Sequence, residues 1–299
     1  MDFKEFTEEI RRLLKERNDR MDVSIQTVRK NNSVMYTGLT VRGVSDTSVP
    51  IIYLEPYYRM FSDTADMEKV ADEILRVYQQ HNFRFNPENI RDFSYVKDKI
   101  VYQVINEHRN KEMLAEVPHR MLIDDIDITY KILLGHNKKD MSASIRINNS
   151  LMDSWGTNEE ELWTYAKGNA GRLQKPVYIR LEELIINMLE RGHQAKDAVT
   201  FDGLSDPAIR MYMATNEEKV NGASVMADNA FMEKLHKDIG DFFILPSSIH
   251  EIIAVPVSGA FDIDKLNEMV KEVNSTSVSE EDFLSDMVYL YDGNKITVA

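Results

Sequence analysis

Apolar residues are spaced in two ways along this chain, and the switching between them limits the folds open to it. Short runs such as Ile252 to Val257 alternate with helical stripes such as Met67, Val70, Ala71, Ile74, Leu75 and Tyr78. Runs of that length suit strands, and stripes of that period suit helices with one buried face. Several of the strand candidates are separated only by turn residues. The expected fold class is therefore α+β, with mixed or antiparallel sheets and helices packed on them. None of the runs approaches the roughly 20 apolar residues of a membrane helix. The opening "MDFKEFTEEIRRLLKERN" carries acids throughout and no continuous apolar stretch, so it is not read as a signal peptide. A cytoplasmic protein without membrane association is the expectation.

A first helix is expected over residues 2–17, where Phe3, Phe6, Ile10, Leu13 and Leu14 form one stripe. "VSIQTV" and "VMYTGLTV" flank the turn residues "RKNNS" and predict a hairpin. "PIIYLEP" predicts a strand, and a helix is expected over 64–81. "IVYQVIN" reads as a strand, "NKEMLAEVPHRML" as a short helix broken near Pro118, and "IDITYKILL" and "MSASIRI" as an antiparallel pair. Thr157 and Glu160 have the capping-box spacing, so a helix is expected from there to about Asn169. Another helical stretch, with Leu181, Leu184, Ile185, Met188 and Leu189 on one face, is expected after Pro176. Further on, strands are expected at "IRMYMATN", "GASVMA", "DFFIL" and "EIIAVPV", the last beginning at His250 and Glu251. Helices are expected at "NAFMEKLHKDIG", at "SEEDFLSD" and at "IDKLNEMVKEVN", with Ile263, Leu266, Met269, Val270 and Val273 facing inward. "MVYLYDGNKITV" reads as a closing hairpin. The expected division is an N-terminal α+β region over residues 1–95 and a second over 96–299, with the turn-rich stretch 192–207 as candidate linker within it.

With 43% hydrophobic residues over 299 positions, the chain can bury a large core, in one domain or two. The absence of cysteine excludes disulfides, thiolate zinc sites, iron–sulfur ligation and thiol nucleophiles, and fits a reducing compartment. Fifty acids against 36 bases give a formal charge of −14, which disfavours nonspecific binding to nucleic acid or anionic membrane and suits a basic partner. There is no phosphate-binding glycine loop, no dinucleotide fingerprint and no zinc-protease helix, and the seven histidines are scattered without ligand spacing. No cofactor and no metal are expected.

Three polar clusters remain as site candidates. "ILPSSIHE" brings Ser247, His250 and Glu251 together. Pro246 and two serines between strands are explained by a turn. A catalytic use would need Ser247 within reach of His250 and a separate acid to orient the ring. "VPHRMLIDDID" places His119 and Arg120 ahead of Asp124, Asp125 and Asp127. An acidic or phosphate ligand at His119 and Arg120 is one reading, a solvated turn before a half-buried strand the other. In "RINNSLMDSWG", Arg146, Asn148, Asn149 and Trp155 line a polar pocket in one reading, and cap or anchor local elements in the other.

Several of these stretches resemble the DUF5688 family of bacterial proteins. The resemblance rests on "VPHR", "WGTNEEEL", "MYMATNEEKVNGASVM", "ILPSSIHE", "LNEMVKEVN" and "LSDMVYLYD", in that order. It runs from about residue 95 to the end, and the N-terminal third is similar in layout more than in wording. Met287 stands where the family pattern leads one to expect histidine. The chain is also distantly similar to the YtpQ-like DUF1444 proteins. Neither resemblance implies an activity, a cofactor or a catalytic residue.

Three functional expectations follow. The first is a non-enzymatic cytoplasmic binding or regulatory protein, with a protein partner as one option. The second is a hydrolase or transferase with a site around Ser247 and His250, joined by His119. The third is an acidic decoy mimicking nucleic acid, for which the last 39 residues, with nine acids and three bases, supply an acidic surface.

Overall fold

The structure is a computed structural model that describes all residues except 45, 47–48, 81–85, 138–140, 184–209 and 259–261. Its described strands pair antiparallel throughout, in three sheets with helices packed on them. This is the α+β class.

Helix α1, Phe3–Arg17, opens with a capping box between Asp2 and Glu5, which satisfies two otherwise orphaned N–H groups. Its stripe buries Phe6, Ile10 and Leu14. Strands β1, Asp22–Arg29, and β2, Met35–Arg42, form the expected hairpin, with Val23 opposite Val41 and Ile25 opposite Leu39. Strand β3 shrinks to Ile52–Tyr53, because Pro56 lies in the first turn of α2, Glu55–Thr64. Ala65 then takes a left-handed φ of 54° and ends α2, so α3 starts later than expected, at Met67–Gln80. These elements share one hydrophobic cluster, built around Phe6, Leu39, Leu54 and Ile74.

A second sheet is organised by a 12-residue strand. After two short helical turns, α4, Phe93–Val96, and α5, Lys111–Leu114, come β5, His119–Ile123, β6, Ile126–Asn137, and β7, Met141–Arg146, with β4, Ile100–Asn106, lying between α4 and α5. One edge of β6 pairs with β4, and the other is shared end to end by β5 and β7. The helix expected across "NKEMLAEVPHRML" is therefore a single turn, and His119 and Arg120 lie on a strand. The face carrying Tyr102, Val104, Ile128 and Tyr130 joins the largest core cluster. It is covered by α7, Glu159–Leu173, which buries Leu162, Ala166 and Ala170. Short α6, Asn149–Ser154, precedes α7, whose N-cap is Asn158 rather than Thr157. The opposite face pairs Val101 with Lys131 and Lys131 with Arg146.

The third sheet has the order β13-β12-β10-β11-β9-β8. Its members are β8, Pro176–Arg180, β9, Tyr212–Asn216, β10, Phe242–Leu245, β11, Ile252–Pro256, β12, Tyr289–Tyr291, and β13, Ile296–Val298. Pro176–Arg180 forms a strand that was not expected, with proline at the start of an edge strand where its missing donor is tolerated, and the expected helical stretch begins directly after it, residues 181–183 being helical. Leu184, Ile185, Met188, Leu189 and the candidate linker 192–207 lie outside the described residues. "GASVMA" is a 3-10 helix and not a strand. A Cβ on Gly222 would stand 2.0 Å from Thr215 Oγ1 and 2.4 Å from the His250 carbonyl, so only glycine lets the chain turn there. "SEEDFLSD" forms turns, because Ser279 and Asp282 bond each other instead of starting a helix. Helices α8, Asn229–Ile239, and α9, Ile263–Thr276, cover the two faces; α8 ends at Gly240 with a φ of 78°. Leu266 and Val270 of α9 are buried, whereas Ile263, expected inward, is 39% exposed.

The "RKNNS" turn does more than reverse the chain. Asn32 takes a φ of 56°, a conformation asparagine tolerates, and points both backbone and side chain at other elements. Its N–H donates to Asn110 Oδ1 at 2.8 Å, while Asn110 Nδ2 donates to Asn32 Oδ1 at 2.9 Å and to the Asn106 carbonyl at 2.8 Å. Asn32 Nδ2 reaches the Phe283 carbonyl at 2.7 Å, and Asn31 Nδ2 the Glu281 carbonyl at 2.7 Å. This asparagine seam ties the hairpin to both the second sheet and the 280–283 turn.

Candidate functional site

The Ser247–Glu251 segment lies between β10 and β11, and His250 and Glu251 precede β11 instead of opening it. Its backbone is zipped to the turn that follows α9. The carbonyls of Pro246 and Ser247 accept from the N–H groups of Ser285 and Leu284, each at 3.0 Å, and the Ile249 N–H donates to the Asp282 carbonyl at 2.8 Å. Ser248 Oγ accepts from the His250 N–H at 3.0 Å. The Ser248 hydroxyl in turn supports the Glu251 carboxylate, whose pKa burial pushes up.

The His250 ring is engaged at both nitrogens. Nδ1 accepts from the Asn221 N–H at 3.1 Å, and Nε2 faces Asp282 Oδ1 at 3.0 Å. The first contact requires a bare Nδ1, so the neutral ring carries its proton on Nε2 and donates it to Asp282. The Asp282 carboxylate raises the affinity of the ring for a proton, against burial and the Asn221 donor, and His250 holds Asp282 below the usual carboxylate range. A serine base needs the reverse: an acid on one nitrogen and a free lone pair on the other. Here the only lone pair of the neutral ring is taken by a backbone amide.

His119 and Arg120 point to opposite sides of β5 and do not form one site. Arg120 faces α7, where Nε and Nη2 meet the two Glu159 oxygens at 2.7 Å each and Nη2 meets Glu160 at 2.5 Å. Tyr130 also donates to Glu159. The guanidinium is thereby spent on fastening the N-terminus of α7 to the sheet. His119 Nδ1 donates to the Val117 carbonyl at 3.0 Å, and its Nε2 stands 3.9 Å from Asp127, too far for a hydrogen bond. Asp125 accepts from Asn106 at 3.0 Å and from Tyr289, so it joins the second and third sheets. Among the described residues, no three histidine or carboxylate side chains converge on a metal-sized site. Asn148 caps α6 through Leu151 N–H at 2.8 Å, Asn149 reaches the Ala115 carbonyl at 3.2 Å, and Trp155 Nε1 donates to the Ile90 carbonyl at 2.8 Å. Each takes the capping or anchoring role that was the alternative to a pocket.

A cleft of about 50 Å³ lies elsewhere, between the Lys131 face of the second sheet and the Asn216–Asn221 segment. Lys131, Gln103, Gln174 and Asn216 are among its polar walls. Lys131 forms no ion pair with a described residue, and burial, with Arg146 beside it, pushes its pKa down to about 8. Gln174 Oε1 and Arg146 Nε are buried without a hydrogen-bond partner. Sequence reading passed over this lysine. Its signal was the alternation Asp127, Thr129, Lys131 against Ile126, Ile128, Tyr130 and Ile132, which marks one face of β6 as polar yet does not say what covers it.

The comparison with known families is consistent with this whole-chain architecture. Residues 3–293 match "Family of unknown function (DUF5688)", and the chain belongs to that family. The match takes in the N-terminal third, where sequence wording alone was weak. No curated protein and no solved structure matches the chain.

Proposed function

We propose that this member of the DUF5688 family is a non-enzymatic binding or regulatory protein of the cytoplasm. The observation that supports this most is the commitment of both His250 nitrogens, to Asn221 and Asp282. The hydrolase or transferase reading needs His250 to take a proton from Ser247 or Ser248, and the ring would have to break one of those bonds first. Arg120, Asn148 and Trp155 have structural partners of their own. The decoy reading needs free carboxylates on one face, but Asp282 is held by His250, Glu281 by Lys30 at 3.3 Å, and Asp292 by its own turn. The cysteine-free composition fits a reducing compartment, and no described helix is long and apolar enough to cross a membrane.

A fluorophosphonate probe, which phosphonylates activated serines with loss of fluoride, tests the reading without a known substrate. The folded chain is expected to show no label at Ser247 or Ser248. Stoichiometric labelling of either serine, lost in folded His250→Ala, would overturn the proposal.

A further inference from the structure

We infer that the cleft beside Lys131 binds a small α-hydroxy or α-amino carboxylate, with its carboxylate on the Lys131 ammonium and its hydroxyl or amino donor on Gln174 Oε1. The inference rests on the binding reading above and names the site and ligand class for it.

Geometry supplies the cation. Val101, Lys131 and Arg146 sit directly across from one another on β4, β6 and β7, so their side chains project from one face. Lys131 then lines the cleft, while Arg146 stands next to it with Nε buried and unbonded. The other charges near Lys131 do not neutralise it. Lys30, from the hairpin turn, is held over the Tyr53 ring at 4.4 Å and by Glu281. His250 lies on the same side and is held by Asp282. Glu218 lines the cleft and is engaged in an interaction of its own. A chain with a formal charge of −14 thus keeps two adjacent cationic side chains without a carboxylate partner among the described residues. Buried cations are ordinarily paired, and a bound anion completes the pair.

A second group indicates what else the ligand carries. Gln174 Nε2 donates to the Tyr102 carbonyl at 2.8 Å and approaches Ser224 Oγ at 3.4 Å, which fixes the amide with Oε1 as its unused acceptor. A ligand that offers only a carboxylate leaves that acceptor stranded, whereas one with an adjacent O–H or N–H satisfies it. The cleft volume of about 50 Å³ corresponds to roughly four water-sized positions, the scale of a two- or three-carbon acid. Apolar walls from Val101, Leu133 and Val220 reduce the competition from water.

Calorimetric titration of the full chain with glycolate, glycine and acetate, at pH 7 and matched chloride, tests the site. Glycolate or glycine is expected to bind at least about tenfold more tightly than acetate, and Lys131→Met to weaken that binding by about tenfold or more. Whichever of the two binds distinguishes the hydroxyl from the amine. Should Lys131→Met fail to fold, glycolate affinity of the natural chain is expected to fall roughly tenfold or more between pH 7 and 9.5, as Lys131 loses its proton. No binding by about 10 mM glycolate or glycine, or binding indifferent to both Lys131→Met and pH, would overturn the site. Equal affinity for acetate would remove Gln174 from it. A chain that binds none of these ligands yet resists the serine probe loses this site and keeps the binding reading, and serine labelling removes the binding reading itself.

Discussion

Asn110→Ala is expected to lower the unfolding free energy by about 3 kcal/mol. Asn110 is fully buried, and its side chain accepts from Asn32 N–H and donates to Asn32 Oδ1 and to the Asn106 carbonyl. Alanine strands all three partners at the seam between the hairpin, the second sheet and the 280–283 turn. Each stranded buried group costs about 1–3 kcal/mol, and water entering the space left by the amide offsets part of the sum. The midpoint of urea unfolding, with hydrogen exchange at the Asn32 amide, measures the effect. Thr64→Ala is the comparison, because its hydroxyl makes only exposed local bonds, to the Met60 carbonyl and a long one from the Asp66 N–H, and a change within about 0.5 kcal/mol is expected there. A loss below about 1 kcal/mol for Asn110→Ala would mean that the seam does not hold the layers together.

Lys131→Met is expected to stabilise the ligand-free chain near neutral pH and to lose that advantage at high pH. Burial, Arg146 and Lys30 push Lys131 down to about 8, with Glu281 opposing. An unfolded lysine titrates near 10.4. Below pH 8 both states hold the proton, and the folded state carries the cost of an unpaired, half-buried ammonium. Between the two values the unfolded chain binds more protons than the folded one, so stability rises with pH and the cost is relieved. Methionine has a similar length and no charge, so the variant should exceed the natural chain by on the order of 2 kcal/mol at pH 7. The two should converge by about pH 10.5. A constant difference across that range would show that Lys131 is compensated in the folded state, and would count against the cleft as an unfilled anion site.

Much of the architecture is legible wherever one short window contains its own cause. The stripes of α1 and α3 and the hairpin around "RKNNS" are local, and each is found where the sequence places it. Strand β8 is not local. Val177, Tyr178 and Ile179 suit a strand, but the window is short, its partner Tyr212–Asn216 is distant in sequence, and the helical spacing that starts at Leu181 masks it. The 3-10 turn at Gly222–Ala227 is set by the close approach of Thr215 and His250. Site chemistry is harder still, because function depends on partners distant in sequence. Ser247, His250 and Glu251 were visible as a cluster, but Asp282 and Asn221 decide what the ring can do, and they lie 32 and 29 residues away. Arg120 could be singled out, whereas its capture by Glu159, 39 residues on, could not.

Whether His250 is a fastening or a base is reported directly by its ring nitrogens. Nitrogen-15 shifts of the imidazole, assigned by difference with His250→Gln, distinguish the tautomers. As a fastening, the neutral ring is expected to have Nδ1 bare and hydrogen-bonded with the proton on Nε2, and to hold protons on both nitrogens at lower pH. A neutral ring with the proton on Nδ1 and a free Nε2 lone pair would contradict it, and would return Ser247 and Ser248 to candidacy as nucleophiles.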